Sequence, residues 1–522
     1  MPCFLNSNFK NNEFELVSKD KYFVDKTKMI EDINQLVGTK DRYICITRPR
    51  RFGKTINAMM LASYYSKATD FKQLFDNMEI SKSDSYEKHL NQRNVININF
   101  SANASSSKTY SDYIEYYKKL LIKDIVKIYP DVCMDYPIEL ILQEIFENTN
   151  QGFIFILDEW DFIFNNKLFS NEERDSFLQF LKDLLKDKPY VELAYMTGVL
   201  PIAKYSSGSA LNMFEEYNFL NDSDFDEYFG FTENEVLKLC DKQKKLSMNE
   251  LKDWYNGYKT CGDHEVYNPR SVVSALKKGK CQSYWTSTGP MDEISYYIEN
   301  NVEEVRDDIV QMVSEIPVNI NLEGYGVEKI SLQTREEILS AMTVYGFLSY
   351  HNETLCIPNK ELRMKFDYAL KNHQMGEISK LVLKSNEMLQ ATLNKDTQTM
   401  EILLQEAHDI NSPMIKYGDE NSLASIIHLV YLNAKTKYRI RREEPVGIGF
   451  ADFIFYPNDK RKPAFIIELK RNSTPDKALE QIRKNRYALA LKDYTGKKLA
   501  IGISYDNKLK NHKIKIEEIV EV

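Results

Sequence analysis

Long apolar stretches are missing from this chain of 522 residues: no run approaches the roughly 18 consecutive apolar residues that a bilayer-spanning helix requires. The opening stretch, MPCFLNSNFKNNEFEL, has neither an extended apolar segment nor a small-residue cleavage site, which argues against a secretory leader. Cysteine is also sparse. The 7 cysteines, an odd number, are scattered without a single C-x-x-C pair. That excludes a disulfide framework and a thiolate zinc site, and suits reduced thiols inside a cell. The expected location is intracellular, cytoplasmic or nuclear in a eukaryote, away from membranes. What is present is an ordinary globular composition, 43% hydrophobic and 28% charged, on a chain too long for one core.

The net charge of −8 hides an asymmetry. Lys460 to Lys515 holds 16 Lys/Arg against 5 Asp/Glu, a local +11 that leaves −19 for the remainder. A basic C-terminal stretch on an acidic body suits contact with a polyanion, although a solvated lysine-rich surface reads the same way on charge alone.

A glycine is missing from TRPRRFGKT, residues 47–55, where the usual phosphate loop G-x-x-x-x-G-K-[ST] would begin; Arg48 stands there instead. The context is nevertheless that of a phosphate loop. RYICIT (42–47) reads as a short buried strand and TINAMMLASYYS (55–66) as a helix, and a helix N-terminus supplies amides for phosphate. Gly53 permits close backbone approach, Lys54 reaches the β/γ-phosphates of ATP, and the Thr55 hydroxyl suits Mg²⁺. Arg48 and Arg51, with Arg50, add positive charge in place of the glycine. The bland alternative is an exposed basic turn.

A carboxylate at the end of a neighbouring strand completes such a site. GFIFILDEWD supplies one: Asp158 is expected beside Mg²⁺, Glu159 to polarise water, and Asp161 to support either. VININF (95–100) and VELAYMTGV (191–199) read as further buried strands, the latter ending in Thr197, suited to sensing the γ-phosphate. Strands alternating with helices predict a parallel sheet with nucleotide at its carboxyl edge.

A second constellation lies at 447–488. ADFIFY and AFIIELK read as two strands around the turn PNDK. Glu468 and Lys470 share one side of their strand, and hairpin pairing brings Asp452 to them. Two carboxylates and a lysine on one patch are what Mg²⁺-assisted phosphodiester cleavage uses: Asp452 and Glu468 for the metal, Lys470 for water or the charged transition state. A cross-strand salt bridge on an exposed hairpin is the plain alternative. The flanks add a helix from about 419, a strand at 438–444, a helix at 476–489 and a last strand at 498–505.

YFVDKT (22–27), TRPRRFGKT, ILDEWD (156–161), MTGVLPIAK (196–204), SALN (209–212), FGFTENEV (229–236), WYNGY (254–258), VYNPRSV (266–272) and YWTSTG (284–289) together resemble the AAA-ATPase-like family fused to a PD-(D/E)XK nuclease domain. The resemblance implies an α/β protein: an N-terminal P-loop NTPase, a parallel sheet flanked by helices, over 1–228; a helical lid over 229–290; a helical linker over 291–410; and a restriction-endonuclease-like domain over 411–522. It implies Asp452, Glu468 and Lys470 as the catalytic set, Glu420 and Gln481 as supporting residues, and Tyr487 as a further candidate. It makes the arginine-rich loop a family trait. Lys477, Arg483, Lys484 and Arg486 are expected to track phosphates of DNA or RNA. The functional expectation is an ATP-binding, ATP-hydrolysing, Mg²⁺-dependent nuclease, with homo-oligomer formation open. The alternative is a nucleotide-gated nucleic-acid-binding or signalling protein whose nuclease-like domain does not cut; a small-molecule kinase is disfavoured for want of an acceptor site.

Overall fold

The computed structural model describes residues 3–68, 70–102, 109–166, 168–202, 210–218, 224–285, 303–313, 317–322, 334–371, 377–410, 420–432, 434 and 437–519. It divides into two compact units: Met1–Gly289 with Asn321–Glu353 and Pro358–Glu361, and Pro290–Ile320 with Thr354–Ile357 and Leu362–Val522. Among the described residues, no helix is long and apolar enough to cross a membrane.

In the first unit, β1 (Tyr43–Thr47), β2 (Asn94–Asn99), β3 (Phe153–Asp158), β4 (Val191–Gly198) and β5 (Glu215–Tyr217) form one sheet in the order β2-β3-β4-β1-β5. Every pairing in it is parallel. Strands buried along their whole length, as β1 and β3 are, belong in the middle of a sheet covered on both faces. On one face, α1 (Asn8–Ser18) and α2 (Lys54–Tyr65) bring Phe14, Leu61 and Tyr65 onto Ile44, Ile154 and Tyr195. The strand order sets β4 between β1 and β3, so that Ile46 and Asp158 are both register partners of Thr197. The expected parallel sheet is present, with β5 added at its edge. That strand is only three half-exposed residues, EEY, too short to carry a periodic signal.

Next come α3 (Glu233–Asp241), α4 (Met248–Tyr255) and α5 (Pro269–Lys278), which share a core of Val236, Leu239, Leu251, Tyr255 and Leu276. They are accompanied by an antiparallel sheet of β6 (Phe231–Thr232), β7 (Tyr258–Lys259) and β8 (Glu265–Tyr267). Sequence predicts helices alone here; strands of two or three residues cannot show a period of two. The FGFTENEV motif becomes a capping box, with Thr232 and Glu235 exchanging hydrogen bonds at the start of α3. Glu235 also pairs with Lys26 of YFVDKT at 2.7 Å, which ties two distant motifs together.

In the second unit, β9 (Tyr438–Pro445), β10 (Phe450–Pro457), β11 (Ala464–Arg471), β12 (Lys498–Asp506) and β13 (Asn511–Glu518) lie side by side in chain order. Only the β11–β12 pairing is parallel. Helices α6 (Glu377–Leu393), α7 (Thr397–Ile410) and α8 (Glu420–Val430) cover one face, packing Met388, Leu403 and Ile427 with Phe453, Phe455 and Ile467. Helix α9 (Pro475–Lys484) covers the other, setting Leu479 and Ile482 against Ile454 and Ile466. The core of this unit thus draws on helices from before residue 411. The close seat of α9 rests on Gly502, where an added Cβ would stand 2.3 Å from the Pro475 carbonyl oxygen.

Candidate functional sites

The loop between β1 and α2 turns on two residues with positive φ, Arg51 at 71° and Gly53 at 97°. Gly53 forms the N-cap of α2 in the left-handed region, which glycine enters without strain. Lys54, the first residue of the helix, is buried and donates from Nζ to the carbonyls of Arg48 at 2.9 Å and Pro49 at 3.0 Å. Burial holds its pKa down against the attraction of Glu159, Asp161 and Asp158. A cavity of about 660 Å³ opens beside it. Arg51, Gly53, Lys54, Thr55 and Glu159 line this cavity, so most of the expected loop residues share one space.

Arg48 departs from the expected set. Its guanidinium is fully buried, 3.3 Å from the Asp226 carboxylate and 2.7 Å from the Tyr217 carbonyl, and it is not among the residues lining the cavity. A side chain held by a carboxylate and by the edge strand anchors the loop from beneath. Asp158 and Thr197 are likewise buried rather than cavity-lining; Asp158 accepts from Asn99 Nδ2 at 2.9 Å at the carboxyl end of its strand.

Glu159 holds φ at 54°, a region costly for a residue with a Cβ and one where function tends to concentrate. Asp161 is fully buried and accepts from the Val199 and Leu200 amides at 3.0 and 2.9 Å, fastening the turn after β4. Burial first, and Glu159 second, push its carboxyl up to about 6. Gly198 is needed for space here, since a Cβ would lie 2.6 Å from both Asp161 Oδ1 and Trp160.

Sequence reasoning missed Arg270. Asn268 caps α5 by accepting from the Ser271 amide, Pro269 occupies the first turn, and Arg270 lines the cavity opposite the loop. The N-P dipeptide in VYNPRSV was the available signal. Burial and then the neighbouring Arg270 and Arg50 lower the pKa of Arg51, a concentration of positive charge that suits an anion. Tyr22, Phe23, Phe231 and Val273 supply an apolar end to the same cavity.

The aromatic motifs brace the loop. Phe52 packs edge-on to Tyr258 at 5.0 Å, and Tyr258 donates to the Gly346 carbonyl. Trp285 Nε1 donates to the Arg50 carbonyl at 3.3 Å, while the Tyr284 and Trp285 amides donate to buried Glu361. Residues 203–204, 209 and 286–289 of the motifs lie outside the described residues.

In the second unit, antiparallel pairing of Phe453 with Ile467 sets Asp452 opposite Glu468. Asp452 Oδ2 accepts from the Leu469 amide at 2.7 Å. Lys470 Nζ donates to Glu468 Oε1 at 2.9 Å and to the Leu469 carbonyl at 3.0 Å. Glu468 is 2% exposed, and its Oε2 has no hydrogen-bond partner among the described residues. Burial, then the neighbouring Asp452, push its carboxyl up to about 7 despite Lys470. The three residues therefore occupy one patch, on the face that carries α9. Gln481 on that helix donates to the Tyr487 hydroxyl at 3.3 Å, and Asn485 donates to the same oxygen at 3.0 Å. Lys477, Gln481 and Lys484 share one side of α9 by helical spacing. Arg483 is turned away and paired with Glu517 at 2.7 Å. Helix α8 packs on the opposite face; Glu420 begins it, with its side chain outside the described residues.

The residues fit a divalent cation. An orphaned buried carboxylate oxygen, a second carboxylate beside it and a carbonyl between them are hard oxygen donors, and Mg²⁺ fills its remaining positions with water. Among the described residues, no group of three or more His, Cys, Asp and Glu is placed to hold a metal by protein ligands alone.

Residues 9–207 match the AAA-ATPase_like family, described as "Predicted AAA-ATPase", and residues 418–515 match PDDEXK_9, described as "PD-(D/E)XK nuclease superfamily". No curated protein matches the chain. Similar solved structures include the ORC2 protein of Aeropyrum pernix in ADPNP–ADP complexes, at 11% identity over 69% of this chain and 98% of that one, TM-score 0.34. A Walker-type ATPase of Pyrococcus abyssi is 11% identical over 65% of this chain and 94% of that one, TM-score 0.37. The chain thus carries a match to the predicted AAA-ATPases over residues 9–207 and one to the PD-(D/E)XK nuclease superfamily over residues 418–515.

Proposed function

We propose that this protein binds and hydrolyses ATP in the cavity beside residues 50–55, and that its second unit cleaves phosphodiester bonds of DNA or RNA with Mg²⁺. The observation that carries the reading is the convergence of Asp452, Glu468 and Lys470 on one sheet face, with an acceptor oxygen of Glu468 buried and without a partner among the described residues. A structural salt bridge needs one acid and one base. Two acids forced together at the cost of a raised pKa suit a cation that is not part of the chain.

Mg²⁺ bound there would polarise the scissile phosphate and lower the pKa of its water. The chain supplies the rest. The Leu469 amide fixes the Asp452 carboxylate, while Lys470, steadied by Glu468 and the Leu469 carbonyl, presents an amine to phosphate oxygen or attacking water. Gln481 and Tyr487 form the wall beside it, and Lys477 and Lys484 offer charge along the approach. In the first unit, the Lys54 amine would exchange the carbonyls of Arg48 and Pro49 for β/γ-phosphate oxygens, Arg51 and Arg270 would balance the anion, Thr55 in the cavity and Asp158, buried at the end of β3, would hold Mg²⁺, and Glu159 would orient water.

The test is incubation of the full chain with plasmid, linear duplex and single-stranded DNA and with RNA, each with and without ATP and Mg²⁺. Fragments that require Mg²⁺ are expected. Nucleotide-dependent binding without scission would replace the nuclease reading with that of a gated binding protein.

A further inference from the structure

The hairpin between β9 and β10 carries two large apolar side chains in water: Ile448 is 72% exposed and Phe450 62%. Its backbone, by contrast, is closely held. Val446 donates to the Gly449 carbonyl at 2.9 Å to close the turn, and the Ile448 amide donates to the Asn485 carbonyl at 2.9 Å. Gly447 and Gly449 have φ of 59° and 138°, and a Cβ on either would stand 1.9 Å from Asn485 O or 3.1 Å from the Tyr487 hydroxyl. The tip is thus seated against the segment that also receives Gln481, with the Ile448 and Phe450 side chains left largely in solvent. Phe450 is two residues from Asp452 on one strand, roughly 7 Å along it. Lys477 and Lys484 are exposed on α9, on the side of that helix that carries Gln481.

We propose that Ile448 and Phe450 form a platform for an unstacked nucleobase of the strand presented to Asp452, Glu468 and Lys470, so that the domain prefers single-stranded or locally opened nucleic acid to intact duplex. The inference rests on the nuclease reading above. A rigid apolar pair standing next to acids, and within reach of lysines, fits a polymer that carries flat apolar faces beside phosphates. A protein partner would need a broader apolar area than two side chains provide. An intact duplex buries its base faces in the stack, whereas each base offered to an aromatic side chain contributes about 1–3 kcal/mol, or roughly 5- to 150-fold in affinity.

The experiment uses full-length chain carrying Glu468→Gln, so that binding is read without cleavage, and compares it with the same chain also carrying Ile448→Ser and Phe450→Ser. Anisotropy is measured with a fluorescent single-stranded oligonucleotide and with its blunt duplex, alongside light scattering. The expected result is a loss of at least 5-fold on the single strand, less than 2-fold on the duplex, and recovery by Phe450→Trp with Ile448 intact. Equal losses on both ligands, no loss on either, or a change of oligomeric state in place of an affinity change would overturn the platform while leaving the nuclease reading standing. Absence of any nucleic-acid binding by the Glu468→Gln chain would remove both.

Discussion

The two sites hold their buried charge with different partners. In the first unit, Lys54 rests on two loop carbonyls, Asp161 takes two backbone amides, and Arg48 is enclosed by Asp226 and the Tyr217 carbonyl. Each ion has at least one partner from the chain itself, although Asp161 Oδ1 has none among the described residues. In the second unit, Glu468 has Lys470 on one oxygen, no partner among the described residues on the other, and faces Asp452 across the strand pair. Backbone partners mark where the fold is being held; two acids brought together across a strand pair mark where a cation would be taken. The contrast also separates two arginine-and-lysine patterns that look alike in the sequence.

Substitutions that treat the two sites alike would break this comparison. Glu468→Gln and Lys470→Ala are each expected to lower Mg²⁺-dependent cleavage by about 10³-fold or more, with ATP turnover retained; full cleavage by either, in a gel assay, would move the chemistry elsewhere. Arg48→Ala removes one partner of a fully buried pair, and is expected to lower stability by about 3–5 kcal/mol while nucleotide affinity per folded molecule changes little. Unchanged denaturant unfolding with a large rise in ATP Kd would return Arg48 to the phosphate site. Lys54→Ala is expected to weaken ATP binding by about 100-fold, read by calorimetry, with circular dichroism unchanged.

The smallest effect expected concerns acid. His512 is 2% exposed in the second unit, beside His408, which stacks on Tyr505 at 4.2 Å. Burial, then His408, push His512 down from 6.5 to about 4, against the attraction of Asp409. Because the folded pKa lies below the unfolded one, its contribution is whole above pH 6.5 and is lost as pH falls through 4. His512→Phe should therefore flatten the acid limb of thermal unfolding by about 1–2 kcal/mol between pH 7 and 4.5, leaving stability at pH 7.5 nearly unchanged. An identical acid limb in the variant would assign that loss to other groups.

Much of this was legible because burial and period leave marks. The runs FIFIL and AFIIELK announced central strands, and the acids that ended or interrupted them announced the sites. The spacing of Glu468 and Lys470 fixed their shared face, and hairpin pairing then brought in Asp452. What escaped was information of another kind. The strand at 215–217 and the lid sheet are too short for periodicity. KIKIE in β13 alternates with a period of two, but its lysines count in the sequence only toward the basic stretch. Arg48 reads as one of three equivalent arginines, and only three-dimensional packing distinguishes an anchor from a ligand. Arg270 joins the cavity because a helix more than two hundred residues downstream starts beside the loop.

Gly346 illustrates the same dependence at long range. A Cβ there would stand 2.7 Å from the Pro49 side chain, and at Gly257 1.8 Å from the Pro358 carbonyl oxygen. With Arg48 in place of the expected glycine, residues 48–53 are wedged by neighbours drawn from far along the chain. Tolerance to mutation should accordingly be low at places that a linear search would pass over: a bulky replacement at 346 would press on the loop at Pro49, one at 257 would press on the Pro358 backbone, and a deep substitution scan would find both glycines fragile.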